Sequence, residues 1–187
     1  LSTDVDPATG GAGANDLDTA LWEGRPAFTD VTRVAILPFD HDRRAASALA
    51  DTPDGRILVA KGAPEQIMAR CTKLPESARS TLSELFADGR RVVAVASKPA
   101  PDLASITASD EAGLTLDGFL VFADNPKAAA RESLARLAAL GIEVKVATGD
   151  NPQVAEKVCA ELGLVSKGTV TGSALDQLSD TQLDVLT

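Results

Sequence analysis

The chain is short of most of the side chains that build metal centres, disulfide frameworks and aromatic surfaces. It has one histidine, His41, two cysteines, Cys71 and Cys159, one tryptophan and no tyrosine, and aromatic residues make up 3% of its 187 positions. Two distant cysteines form no disulfide framework and point to a reducing compartment. One histidine with two cysteines cannot build a closed Cys/His zinc site. No secretory leader pattern opens the sequence. No apolar run approaches the ~18 residues needed to span a bilayer, and Val92–Ala96 and Gly118–Ala123 are among the longest. Positive charge is also scarce: 18 Lys and Arg stand against 27 Asp and Glu, a formal charge of −9. That balance argues against nucleic acid or an anionic membrane as a general partner, while leaving room for an anionic ligand in one local basic pocket. The chemical motifs of several enzyme classes are missing too. There is no G-x-x-x-x-G-K-[ST] loop and no G-x-S-x-G elbow, and Gly11-Ala12-Gly13 lacks the third glycine of a dinucleotide fingerprint.

What is present is the composition of an ordinary globular protein, with 44% hydrophobic and 24% charged residues. The chain opens on Leu1 rather than Met and is expected to be a piece of something larger. Residues 1–15 carry almost no large apolar side chain and read as loop. Leu17 and Leu21, four apart, suggest a short helix over Asp16–Glu23. Val31–Leu37 reads as a strand ended by Pro38. Ala45–Ala50 and Arg56–Lys61 flank Pro53-Asp54-Gly55 and read as a hairpin. Pro64 suits the first turn of a helix to about Cys71, Pro75–Ala87 a second helix stopped by Gly89, and Val92, Val93 and Val95 a buried strand. This half is expected to be an antiparallel sheet with packed helices.

Pro99–Gly113 reads as a connector, after which the pattern changes. Gly118–Ala123 is a compact apolar strand, Lys127–Leu140 a helix with Gly141 as its stop, and Ile142–Ala147 an alternating strand. Asn151 caps a helix that runs from Pro152 to Leu162. Strand–helix–strand–helix at this spacing predicts a parallel α/β segment. Two domains are expected, 1–115 and 116–187, the second a partial Rossmann-like segment.

Parallel α/β units place ligand sites at strand C-termini. Asp124-Asn125-Pro126-Lys127 and Thr148-Gly149-Asp150-Asn151 follow the two predicted strands, with a chemistry suited to phosphate and Mg²⁺; as turn and cap residues they would do nothing chemical. In the first half Lys61, followed by Gly62, lies where a strand becomes a helix and can meet a phosphate. Arg91 opens a strand, and Phe39 sits in a polar run and could stack on a base. Singly, each of these fits a solvated or core residue equally well.

Together, Lys61-Gly62-Ala63-Pro64-Glu65, Gly89-Arg90-Arg91 running into Val92–Ala96, Asp124-Asn125-Pro126-Lys127 and Thr148-Gly149-Asp150 follow the order and spacing of the P-type cation-transporting ATPases. Asn15–Leu21, Leu37-Pro38-Phe39-Asp40, Val144–Asp150 and the run from Val154 to Gly163-Leu164 resemble the bacterial magnesium-transporting branch. The resemblance covers the chain from about Asn15. It implies a nucleotide-binding domain followed by part of a haloacid-dehalogenase-type phosphorylation domain, on the cytoplasmic side of an integral membrane pump. It implies ATP as ligand, with Phe39 stacking on adenine, Asp18 near the adenine amino group, Lys61 and Gly62 lining the nucleotide pocket and Arg91 on the phosphates. Asp124 matches the first Asp of a D-P-P-[KR] motif, and Thr148, Gly149 and Asp150 match a T-G-D motif around the transferred phosphate. Asn125 replaces a usual proline and Ala147 a usual leucine. The family's Asp-Lys-Thr-Gly-Thr, which holds the phosphorylated aspartate, does not occur in these residues. The implied partners are the actuator, phosphorylation and transmembrane parts of a pump that moves a cation, Mg²⁺ by branch, with Mg²⁺ also as cofactor of the whole enzyme. No metal site is expected within these residues. Two other readings stand beside this one: a haloacid-dehalogenase-like phosphatase using Asp40 and Asp42, and a non-catalytic regulatory domain that kept the fold.

Overall fold

The computed structural model describes Leu21 and residues 30–122, 128–149, 151–166, 168–179 and 182. In chain order the elements are β1 (Thr32–Asp40), β2 (Ala45–Thr52), β3 (Gly55–Gly62), α1 (Pro64–Ala69), β4 (Cys71–Lys73), α2 (Ala78–Ala87), β5 (Arg91–Pro99), a 3₁₀ turn (Ala108–Glu111), β6 (Leu114–Phe122), α3 (Ala128–Ala139), α4 (Pro152–Glu161) and α5 (Gly172–Leu175). The chain divides into two compact units. One holds Leu1–Leu82 with Val92–Phe122, the other Ser83–Arg91 with Ala123–Thr187.

The first unit is built on a six-stranded sheet in the order β1-β2-β3-β5-β6-β4. β1, β2, β3 and β5 pair antiparallel in turn, and β4 pairs parallel with β6. The predicted hairpin forms: Thr52 pairs with Gly55 around Pro53-Asp54. Gly55 takes φ +114°, a region closed to most side chains, and Asp51 clamps Arg56 across the pair at 2.7 and 3.0 Å. The register sorts side chains by face, because directly opposed residues share one. Leu37, Ser47, Ala60 and Ala96 form one row, continued by Ala45, Gly62 and Ala94. This is the core face, where Ser47, Leu49, Leu58, Ala60, Ala94 and Ala96 have no exposed surface. Ala46, Lys61 and Val95 form a row on the other face, with Ile36, Ala48, Val59 and Ser97 beside it. There Val59, Lys61, Val95 and Ser97 are only half-buried. β2 is buried from Ala45 to Ala50 without a break, so both of its faces are covered, and small alanines make that close cover possible.

Two local expectations differ from the structure. β1 does not stop at Pro38 but continues to Asp40. Proline is tolerated because β1 is an edge strand and Pro38 sits at a break in register, where no ladder N–H is required. The expected connector 99–113 does link β5 to β6, and it carries local order of its own. Thr107 and Asp110 form a reciprocal capping box that starts the 3₁₀ turn. Gly118–Ala123, expected to open a parallel segment, is instead the distal half of β6 as far as Phe122, inside the six-stranded sheet; Ala123 lies outside the described residues.

In the second unit, α3 ends at Gly141, which takes φ +73° while Ile142 N donates back to Leu137 O at 3.0 Å. Asn151 caps α4 as predicted, its Oδ1 accepting from Gln153 N at 2.9 Å. The strand predicted over Ile142–Ala147 is absent: residues 142–148 adopt no regular structure. A lone segment cannot be a strand, since its N–H and C=O groups need a paired neighbour, and the expected partner 118–122 is committed to the first unit's sheet. Ile142 and Val146 are accordingly 49% and 56% exposed. The parallel, haloacid-dehalogenase-type segment is therefore not formed among the described residues.

Candidate functional site

The polar turn between β1 and β2 owes its shape to one extra residue. Leu37 pairs with Ser47 and Asp40 with Ala45, so Pro38 and Phe39 together oppose Ala46. Inserting one residue flips the side chains that follow to the opposite face. With an unbroken register Phe39 would stand opposite Ala45 on the core face. With the bulge, Asp40 takes that place and Phe39 shares the half-open face with Ala46. Phe39 is 55% exposed, ahead of Val121 at 46% among the described large hydrophobics of the sheet unit. Its ring lies perpendicular to that of His41, 5.3 Å between centroids.

Lys61 stands on that same face, directly opposite Ala46. β1, β2 and β3 are neighbours, and two spacings of about 4.8 Å set the Phe39 and Lys61 positions about 10 Å apart across the small Ala46. An exposed aromatic and a half-buried lysine on one face, with the buried Ala46 between them, offer a stacking surface at one end and a cation at the other. Gly62 is buried on the opposite face. A Cβ there would lie 2.3 Å from Arg44 O and 2.8 Å from Ala45 Cα, so the close approach this glycine permits is to the backbone entering β2. Ala63 N donates to the same Arg44 O at 2.9 Å. The turn carrying Phe39 is thus docked on the segment that follows Lys61. Arg91 is exposed at the start of β5.

The phosphate-region candidates are less completely placed. Thr148 and Gly149 are exposed in irregular backbone after residue 142. Asp18, Asp124 and Asp150 lie outside the described residues. Asp40 and Asp42 sit in an antiparallel turn, and Asp40 Oδ1 accepts from Arg43 N at 2.8 Å, a capping role unlike a nucleophile at the end of a parallel strand. Among the described residues no group of three or more His, Cys, Asp or Glu could hold a metal ion.

Against known proteins, the family described as "P-type ATPase, cytoplasmic domain N" matches residues 24–129, more than half of the chain. The chain belongs to this P-type ATPase domain family. It is 35% identical over 190 residues to a magnesium-transporting ATPase, P-type 1, of Escherichia coli, covering 90% of this chain and 21% of that protein. The namesake from Salmonella typhimurium is 36% identical over 193 residues, with the same coverage. A calcium-transporting ATPase 1 of Lactococcus lactis is 29% identical over 167 residues, 81% of this chain and 19% of that protein. The chain thus spans about a fifth of the length of these relatives. No helix among its described residues is long and apolar enough to cross a membrane.

Within this P-type ATPase domain one charged cluster escaped the sequence reading. Glu111 is 1% exposed and meets Arg43, Arg70 and Ser47. Its only sequence signal was an acidic residue three positions before the buried Leu114, inside a segment read as connector.

Proposed function

We propose that the chain is the ATP-binding part of a P-type cation pump, in which Phe39 stacks on adenine and Lys61 meets the phosphates. The supporting observation is the bulge in β1, which gives Phe39 the same sheet face as Lys61, about 10 Å away across two strand spacings. A positive side chain with a half-buried stem suits a polyphosphate, whose charge a protein of net −9 would otherwise repel. Arg91 and Asp18 are assigned to the same nucleotide site, and Gly62 serves it from the opposite face by letting the β1–β2 turn dock after Lys61. Asp124, Thr148, Gly149 and Asp150 are assigned to the phosphate region of the assembled pump. A division into an ATP-binding portion and a partial phosphorylation portion belongs to this reading, with the expected boundary at 115 moved beyond the end of β6, which lies whole in the first unit's sheet. So do a cytoplasmic location, Mg²⁺ as the transported ion and as cofactor of the whole enzyme, and the actuator, phosphorylation and transmembrane parts as partners. Because the sequence holds no Asp-Lys-Thr-Gly-Thr, these 187 residues alone bind nucleotide without forming an aspartyl phosphate.

In this reading the chain's own residues bind and orient, the task that dominates catalysis of phosphoryl transfer. Phe39 fixes the base, and Lys61 neutralises charge on the phosphates. Calorimetric titration with adenosine and ATP is the test. Stacking on an aromatic contributes about 1–3 kcal/mol per base, so Phe39→Ala should weaken both ligands by about fivefold to more than a hundredfold. Lys61→Ala should weaken ATP more than adenosine. A folded Phe39→Ala chain with unchanged adenosine affinity removes Phe39 from the site.

A further inference from the structure

The bulge that exposes Phe39 also leaves its backbone under-determined. Pro38 has no N–H to give, and two residues of β1 share one partner on β2, so ladder hydrogen bonds cannot fix the direction of the ring. Side chains hold this stretch instead. Arg43 Nη2 donates to Pro38 O at 2.6 Å, immediately before Phe39. Arg70 Nη2 donates to Arg43 O at 3.1 Å, at the far end of the turn. Both guanidinium groups converge on one buried carboxylate. Glu111 Oε1 accepts from Arg43 Nη1 at 2.5 Å and from Ser47 Oγ at 2.8 Å. Glu111 Oε2 lies 3.6 Å from Arg70 Nη1, and neither of these two atoms has a hydrogen-bond partner. A carboxylate this buried is retained against its desolvation cost only by such cations, and here each cation also donates to one carbonyl of the 38–43 stretch that carries Phe39.

We propose that Glu111, Arg43 and Arg70 are positioning residues that set the pose of Phe39 at the adenine site. Glu111 touches no nucleotide in this scheme. It fixes the two arginines, they fix the Pro38 and Arg43 carbonyls, and the ring between them is held ready for a base. The inference rests on the adenine reading of Phe39. A turn that samples several poses binds with an affinity reduced by the fraction of time it spends in the competent one.

The test compares three chains, wild type, Glu111→Gln and the double variant Arg43→Met/Glu111→Gln. The double variant removes both members of the buried ion pair together and so leaves no lone buried charge from that pair. It keeps the measurement available if Glu111→Gln does not fold. Two quantities are read. The first is amide exchange at Arg43 and Arg44, whose N–H groups are held by Asp40 Oδ1 and Asp40 O. The second is affinity for adenosine and for ATP, with Phe39→Ala titrated alongside. The expected result is a folded double variant with faster exchange at both amides and an affinity lowered about fivefold for adenosine and ATP alike, as when only a fifth of the chains hold the competent pose. Equal loss on both ligands marks an effect on the base rather than the phosphates. Unchanged exchange at Arg43 and Arg44 overturns the proposal whatever happens to binding. Faster exchange with wild-type adenosine affinity also overturns it, and if Phe39→Ala has weakened binding, the adenine reading survives that failure. If Phe39→Ala leaves adenosine affinity unchanged, the adenine reading itself has failed and this inference falls with it.

Discussion

Replacing Gly62 with alanine adds one methyl group at a place where the backbone has no room for it. The added Cβ would sit 2.3 Å from Arg44 O, 2.8 Å from Ala45 Cα and 3.0 Å from Ala45 Cβ. Two of these three atoms are backbone, so no rotamer change relieves the clash. Relief requires the β1–β2 turn to move away from β3, which stretches the 2.9 Å bond from Ala63 N to Arg44 O. Overpacking of this kind costs about 1–3 kcal/mol, and losing the bond adds about 0.5–1.5 kcal/mol. A destabilisation of about 2–4 kcal/mol follows. At about 2–4 °C per kcal/mol for a chain of this size, the melting temperature should fall by about 4–16 °C. Urea unfolding followed by circular dichroism, beside a thermal scan, measures both.

The same substitution separates two accounts of this glycine. If Gly62 serves mainly by letting a phosphate approach, alanine should lower ATP affinity and leave stability within about 0.5 kcal/mol, as at an ordinary surface position. If the docked turn is what requires glycine, stability falls first, and adenosine affinity falls with ATP affinity because Phe39 moves with the turn. A Gly62→Ala chain that melts like wild type would refute the packing argument outright.

Four further outcomes are expected. The Arg56 side chain hydrogen-bonds Asp51 and holds its carboxyl below the ordinary value of 3.8; the pair therefore supports the fold above the unfolded pKa, and the support is lost as pH falls through the lowered folded pKa, which a urea midpoint followed from pH 5 downward in wild type and Asp51→Asn should show as a shallower acid decline in the variant. Burial raises the Cys71 thiol, so iodoacetamide near pH 8, followed by mass spectrometry, should label Cys71 more slowly in the folded chain than in urea, and equal rates would contradict its half-buried placement. Asn151→Ala removes the bond to Gln153 N and should destabilise α4 by about 0.5–2 kcal/mol, read as faster amide exchange over 152–161. Incubation with γ-labelled ATP and Mg²⁺ should leave no acid-stable label on the chain, and label on any aspartate would revive the phosphatase reading.

How far the sequence could be read depended on whether a signal was local. The hairpin at Pro53-Asp54-Gly55, the glycine stop at Gly141 and the Asn151 cap are each encoded within a few residues, and each formed as expected. The strand over 142–147 failed because alternation describes a strand's faces but not its partner, and a strand without a partner does not exist. Placing 118–122 in a separate parallel segment was the same error seen from the other side, since nothing within that run shows that it continues Leu114–Asp117 into the first sheet. The candidate site was legible as a set of residue types, Phe39 and Lys61 among them, but not as a geometry. Whether Phe39 faces the core or the open side turns on one bulged residue beside Pro38, and that offset is defined only by the register against β2. Glu111 was invisible for a related reason: its partners Arg43, Ser47 and Arg70 come from three distant stretches of chain, and only the fold shows that a carboxylate in a polar connector is buried among them. Local signals thus mark turns, caps and residue types, while long-range pairing decides which face each side chain takes.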